Sequence, residues 1–436
     1  MPNRVKTFLI RTHWPILLAM LALMGIGVMA IGISERAEGT GSHFATRQTI
    51  YAVLGVAAYL GMASLPYPRI GKWAYVLLAG TIALLLVVLV LPPIRGSRRW
   101  IDLKFFLFQP SELAKLTFIV LLAWYLRRGD NYRRLRGLIL PFVLTLVPMA
   151  LILAEPDLGT ALLLLPTLYV MLFAAGARLR HLLGIVAVGT AVIFLPVPRA
   201  VSDDMGPVEA ADRRALAYHW GDAPWTFHVG HTEYIVSAAP LAIMKHHQVK
   251  RIEGWLRQND PSVARGKGYQ LYQSKMILAT GKLSGRGGWA DAEAYFHLLP
   301  DDHTDFIFSV IGGQWGLLGC LGILALYAVL FVCGLEIASV TDDAFGRLLA
   351  IGVVALLFSQ LCINVGMTVG LMPITGMTLP LVSYGGSSLV INCAALGLLV
   401  NVGRHRPILL GRKPFEHEAK DRAAGLTMAE AMTPGD

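Results

Sequence analysis

Apolar runs long enough to cross a bilayer as helices recur along most of the chain. They fall near 14–33, 49–65, 73–92, 111–126, 138–154, 158–175, 180–197, 306–334, 348–371 and 384–402. The pattern predicts an all-α, polytopic membrane protein with about ten transmembrane helices and one large extracytoplasmic loop. Several runs contain Gly and Pro, which membrane helices tolerate. The chain divides accordingly: 1–197 carries helices one to seven with short loops, 198–305 is the large loop, 306–405 carries helices eight to ten, and 406–436 is a flexible polar tail. The loop is too irregular to read as a separate domain. Its second half mixes an amphipathic helical pattern with Gly-rich turns, so that Trp255, Leu256, Tyr269, Leu271, Met276 and Ile277 could lie flat at the membrane surface.

Composition supports this reading. The 436 residues are 55% hydrophobic and 15% charged, with a mean hydropathy of +0.58, which excludes a soluble domain. The formal net charge of +10 sorts by topology. Arg4, Lys6 and Arg11 precede the first span; Arg69 and Lys72 follow the second; Arg127, Arg128, Arg133, Arg134 and Arg136 follow the fourth; Arg178 and Arg180 follow the sixth; Arg404, Arg406, Arg412 and Lys413 follow the tenth. If the spans alternate, all these clusters share one side, which puts both termini in the cytoplasm. The excess charge then serves topology and anionic membrane lipids, not nucleic acid. One cluster breaks the rule. Arg95, Arg98 and Arg99, with Trp100 and Lys104, lie in a short loop on the outer side, which fits either an anionic ligand or lipid headgroups. The four cysteines fall within spans and read as small buried hydrophobes. His219, His228, His231, Glu233, His246 and His247 match no compact ligand spacing, so no metal site is assigned to them.

The chemistry gathers where spans meet the outer side. At 298–308 the chain reads Leu-Leu-Pro-Asp-Asp-His-Thr-Asp-Phe-Ile-Phe and passes directly into the eighth span. Asp305 already stands inside the apolar run, where an ionisable group is costly and marks a functional site by default. Burial there would favour proton acceptance. The competing account makes Asp305 the N-cap of the helix that follows. His303 next to it is a candidate for proton transfer or for hydrogen-bonding support. Lys115 lies about one turn into the fourth span, and Glu155 and Asp157 form a tight acidic turn between the fifth and sixth. Gly385-Gly386-Ser387-Ser388 reads as a close-packed helix start, with Ser387 also a candidate substrate contact.

Six strings stand in order along the chain: RGSRRWIDL (95–103), QPSELAKL (109–116), EPDLGTA (155–161), GYQLYQSK (268–275), HTDFIFSVIG (303–312) and PITGMTLPLVSYGGSS (373–388). Together they strongly resemble the SEDS family (shape, elongation, division and sporulation), the RodA/FtsW/SpoVE type of peptidoglycan polymerase. The resemblance implies a glycosyltransferase that polymerises lipid II on the outer face of the bacterial cytoplasmic membrane. It implies Asp305 as the essential carboxylate, Lys115 as its charge partner, Trp100 as the family tryptophan, and Glu155 and Asp157 as the acidic turn. It also implies a partner, a class B penicillin-binding protein that cross-links the strands. Four departures bear on the support around the site, one of them an insertion around Ser202–His247 that is unlike the common members. Asp301 stands where members carry Glu, His297 replaces a Glu, and Gly312-Gly313-Gln314 replaces Gly-Glu-Glu.

Chain growth requires a sugar hydroxyl to attack an anomeric carbon that carries a lipid diphosphate. A carboxylate such as Asp305 would accept the hydroxyl proton, and Lys115, Arg95, Arg98 and Arg99 would meet the departing charge. A divalent cation such as magnesium could bridge diphosphate and acids, yet no dedicated ligand set is present and no cofactor is assigned. Two rival readings are a flippase or transporter of the same precursor and an inactive scaffold for a transpeptidase.

Overall fold

The computed structural model describes residues 13–38, 43–94, 97–104, 106–128, 131–201, 206–220, 223–229, 232–239, 246–264, 266–286 and 303–405. Arg95, His231, His297, Asp301 and the 406–436 tail lie outside the described residues, as do the side chains of His219, His246 and His247. All ten predicted spans coincide with helices. These are α1 (Trp14–Glu38), α2 (Phe44–Ser64), α3 (Ala74–Val90), α4 (Pro110–Leu126), α5 (Ile139–Ala154), α6 (Leu158–Ala174) and α7 (Leu179–Ile193), then α11 (Ile307–Val340), α12 (Ala344–Val369) and α13 (Gly386–Arg404). By length and composition five of the helical segments suit a membrane crossing: Trp14–Arg36, Leu135–Ala154, Ile307–Val340, Ala344–Val369 and Gly386–Arg404. α3, α6 and α7 are shorter apolar helices. The protein is a polytopic, mostly helical membrane protein.

Burial separates inner from outer helices. On α4 every residue except Leu113, Trp124 and Tyr125 is buried, whereas α7 buries only Leu182. α4 packs against α3, α6 and α12, while α2 packs along α13 and α1 along α11. The outer helices keep apolar side chains exposed, among them Leu146 and Val147 on α5 and Val188 on α7, as a lipid-facing surface requires. Cys320, Cys333 and Cys393 are buried as expected, whereas Cys362 is exposed. The seventh span is shorter than predicted. Pro196 and Pro198 cannot continue a helix, and the chain turns at Phe194 into a strand.

The long segment between α7 and α11 is more regular than its sequence suggests. β3 (Pro196–Ala200), β4 (Thr226–Val229) and β5 (Thr232–Ala238) form an antiparallel sheet in the order β3-β5-β4, with Val197 opposite Ser237 and Phe227 opposite Tyr234. α8 (Pro207–Ala215), α9 (His246–Leu256) and α10 (Tyr269–Thr280) follow. Lys267 pairs with Asp212 of α8 and, at 2.7 Å, with Glu253 of α9. The expectation that this region lies flat at the membrane surface fails for Leu271 and Ile277. Both are buried on the bundle, because Ser274 between them bonds the Ser309 hydroxyl at 2.7 Å and the Thr368 carbonyl at 2.8 Å. Trp255 likewise donates its indole N–H to the Gly370 carbonyl at 3.1 Å.

α11 breaks at Gly316, whose φ of 66° and ψ of −162° suit glycine. The amides of Leu317 and Leu318 are met there by the carbonyls of Lys282 (2.9 Å) and Leu283 (3.1 Å). This contact demands a small residue at Gly281, where a Cβ would stand 1.8 Å from the Gly312 carbonyl oxygen. The prediction is that Gly281→Ala separates α10 from α11. It should lower the thermal midpoint of the detergent-solubilised protein by several degrees, against little change for Gly184→Ala, where nothing lies within 4 Å.

Candidate active site

Asp305 is half-buried and lies one residue before Phe306, the N-cap of α11. It is therefore not the capping residue. Its carbonyl accepts from the Asn364 side-chain amide at 3.0 Å, and the same nitrogen reaches the Met377 carbonyl at 2.5 Å. Asn364 is fully buried on α12 and so ties the start of α11 to the segment before α13. Gly376 in that segment has φ +73°; a Cβ there would lie 3.5 Å from Asp305 Oδ2 and 3.5 Å from Arg251 Nη1. The carboxylate and the Arg251 guanidinium thus face the same small gap. Neither Arg251 nor Asn364 is evident from the sequence. Arg251 stands in no motif, and a lone Asn in a span is an ambiguous signal.

Lys115 is placed as expected, on the second turn of α4, but its ion pair is with Glu112 and not with Asp305. The Nζ lies 2.7 Å from Glu112 Oε2, with side-chain exposures of 1% and 7%. The i,i+3 spacing sets the two on one face, and Glu112 in the first turn also sits at the positive end of α4. Both charges are present in QPSELAKL, so this pairing is legible from spacing alone.

The acidic turn between α5 and α6 contains two carboxylates in opposite circumstances. Asp157 Oδ1 caps α6 by accepting the Thr160 amide at 3.1 Å. Its Oδ2 accepts from Gln109 Nε2 (2.8 Å) and the Ser111 hydroxyl (3.1 Å), both at the start of α4. Glu155 is 0% exposed, and among the described residues neither of its oxygens has a hydrogen-bond partner. Burial, and then the neighbouring Asp157, push its carboxyl from 4.5 up to about 8, with Arg99 offsetting part of the rise.

The remaining predicted residues frame this turn. Arg99 is half-buried, and its Nε is buried without a partner. Arg98 is exposed and donates to the Leu89 carbonyl near the end of α3 at 3.3 Å. Trp100 is half-buried and leads into β1 (Ile101–Asp102), which pairs with β2 (Leu107–Phe108). Ser387 is buried; its hydroxyl accepts the Gln109 amide at 3.0 Å and donates to the Leu107 carbonyl at 2.8 Å, joining α13 to α4. His303 stacks on Phe44 with centroids 4.5 Å apart and meets Tyr384 edge-on at 5.6 Å. Tyr384 in turn donates its amide to the His303 carbonyl at 2.9 Å. The aromatic side of His303 is not foreseeable from the sequence, because Phe44 lies 259 positions away in the chain. Among the described residues the group with metal-compatible spacing is His13, Cys333 and Glu336, toward the far end of α11 from Asp305.

The chain matches the family described as cell cycle protein, FtsW/RodA/SpoVE, over residues 9–204 and 215–408. It is 32% identical to the peptidoglycan glycosyltransferase RodA of Treponema pallidum (strain Nichols), across 89% of this chain and 96% of that protein. It is also 32% identical to the peptidoglycan glycosyltransferase MrdB of Escherichia coli (strain K12), across 94% and 98%. A solved chain from a study of how a peptidoglycan synthase complex coordinates polymerization and crosslinking superposes with a TM-score of 0.69. Its identity is 28%, over 91% of this chain and 99% of that one. The crystal structure of RodA, the rod shape determining protein of Thermus thermophilus, gives a TM-score of 0.60 at 26% identity, over 91% and 97%. The chain belongs to the FtsW/RodA/SpoVE family and is a membrane glycosyltransferase of that class.

The buried pair yields a clear expectation. Lys115→Met leaves Glu112 without its counter-charge and should cost about 3–5 kcal/mol of stability. Lys115→Met combined with Glu112→Gln should recover most of that loss. Thermal unfolding of the single and double variants in the same detergent checks this.

Proposed function

We propose that the chain polymerises lipid II into glycan strands, in cell elongation or division. It works at the outer face of the bacterial cytoplasmic (inner) membrane, with both termini in the cytoplasm and the 198–305 loop outside. The observation that carries this reading is the Asp305 carboxylate, anchored through its own carbonyl by Asn364 and turned to the gap at Gly376.

In the proposed step Asp305 takes the proton from the C4 hydroxyl of the acceptor sugar as that oxygen attacks C1 of the donor. The bond from C1 to the diphosphate oxygen breaks, and the lipid diphosphate leaves with the electron pair. Arg99 lies beside the acidic turn and suits the leaving charge; Arg98 and Arg95 belong to the same loop, and guanidinium forks match phosphate oxygens. Lys115 contributes a desolvated positive charge that Glu112 holds in place. Trp100 offers a half-buried ring to the substrate at the entrance to β1. His303 and Ser387 position the segment around the site through the aromatic cluster with Phe44 and Tyr384 and the Gln109–Leu107 bridge.

The proposed partner is a class B penicillin-binding protein that cross-links the new strands. The likeness to a chain from a peptidoglycan synthase complex supports this pairing.

Purified protein given lipid II, with and without its cognate transpeptidase, tests the proposal. Wild type should form polymer, and Asp305→Asn should lower the rate by about 10²- to 10⁴-fold without loss of fold. Lipid movement without polymer would favour a transporter. Partner binding with neither activity would favour a scaffold.

A further inference from the structure

The acidic turn contains a group that the reaction above leaves unused. Glu155 is completely buried, yet among the described residues no donor reaches either of its oxygens, while Asp157 two residues on takes three. An ionised carboxylate without donors in such a place is among the costliest arrangements a protein can hold. The nearest relief would be an ion pair with Arg99. Arg99 is close enough for its charge to act on Glu155, but no ion pair within 4.0 Å joins them, and its own Nε is also buried without a partner. Both groups thus lack a partner among the described residues, and the charge of one acts on the other. One is a fixed cation with an N–H to give; the other is a carboxyl that can offer an O–H.

We infer that Glu155 acts as a neutral hydrogen-bond donor which, together with Arg99, seats a phosphate oxygen of the lipid-linked donor sugar. This rests on the glycosyltransferase reading above and adds a residue to its donor side. An anion supplies the acceptors that both groups lack, and it arrives beside the start of α4, whose first turn carries the Glu112–Lys115 pair. The shift of the Glu155 carboxyl to about 8 agrees with a bound proton at neutral pH. The charges around it are accounted for: Asp157 raises it and Arg99 lowers it. On α4, Glu112 and Lys115 already pair with each other, and the Thr375 carbonyl and Met377 side chain packed on Gly159 bring no titratable group. The arrangement selects a neutral Glu155 because Asp157 has claimed the local donors Gln109, Ser111 and the Thr160 amide.

The test is lipid II binding to the full chain in detergent from about pH 6 to about pH 9.5, on an Asp305→Asn background so that ligand is not consumed. The diphosphate diester of lipid II does not titrate in this range, and Glu155→Gln, measured with the same ligand, isolates the part of the pH dependence that belongs to Glu155. With Glu155 present, affinity should be level at low pH and fall by about tenfold per unit above about pH 8. Glu155→Gln keeps a donor that cannot ionise and should bind evenly across the range. Glu155→Leu removes the donor and should bind about 10- to 100-fold more weakly throughout. A second readout does not use ligand. The folded parent retains a proton that the unfolded chain releases above 4.5, so its stability should decline from about pH 5 to about pH 8 relative to Glu155→Gln. A flat profile for the parent, or the same decline in Glu155→Gln, overturns the inference. So does affinity that tightens as pH rises, the mark of a cation site. Polymerisation assays decide Asp305 separately, so failure of either reading is distinguishable from failure of the other.

Discussion

Backbone that is not helical cannot be left bare inside a membrane, and this constraint organises the protein around its site. The segment from 373 to 385 is irregular and largely buried, and its main-chain groups are met by side chains from three helices. Gln48 of α2 serves Ser383 and Gly385, Gln360 and Asn364 of α12 serve Thr378 and Met377, and Tyr327 of α11 donates to the Pro380 carbonyl. Asn364 also holds the carbonyl of Asp305. One of the amides that make the irregular segment tolerable is thus the same one that fixes the reactive carboxylate. Scaffold and chemistry share their supports.

The buried acids show three ways of living at low dielectric. Glu112 takes a lysine one turn away, and Asp157 takes neutral donors from α4 and from the backbone of α6. Glu155 takes neither and gives up its charge.

Much of this is legible in the chain. Helix count and approximate bounds follow from apolar runs, because a spanning helix must be both long and apolar. The six motif strings by themselves single out Asp305, Lys115, Glu155 and Asp157. The errors have physical sources. Pairing Lys115 with Asp305 assumes that opposite charges from distant motifs meet, when an i,i+3 acid already stands on the same face. The β3-β5-β4 sheet escapes a reading of the sequence because its strands are short and interrupted by turns. Arg251 and Asn364 act only through tertiary placement, which no local pattern encodes. Leu271 and Ile277 suit a membrane surface and a protein groove equally well, and Ser274 between them decides for the groove.

The break at Gly316 has a mechanical consequence. It divides α11 into a short arm, 307–315, with Asp305 just beyond its tip, and a long shaft anchored in the bundle. The fulcrum is gripped from outside the helix, since Lys282 and Leu283 fasten the shaft at Leu317 and Leu318 while the Arg286 amide reaches back to Gly313 on the arm. Loss of the loop at 282–286 would therefore take backbone partners from both sides of the break at once.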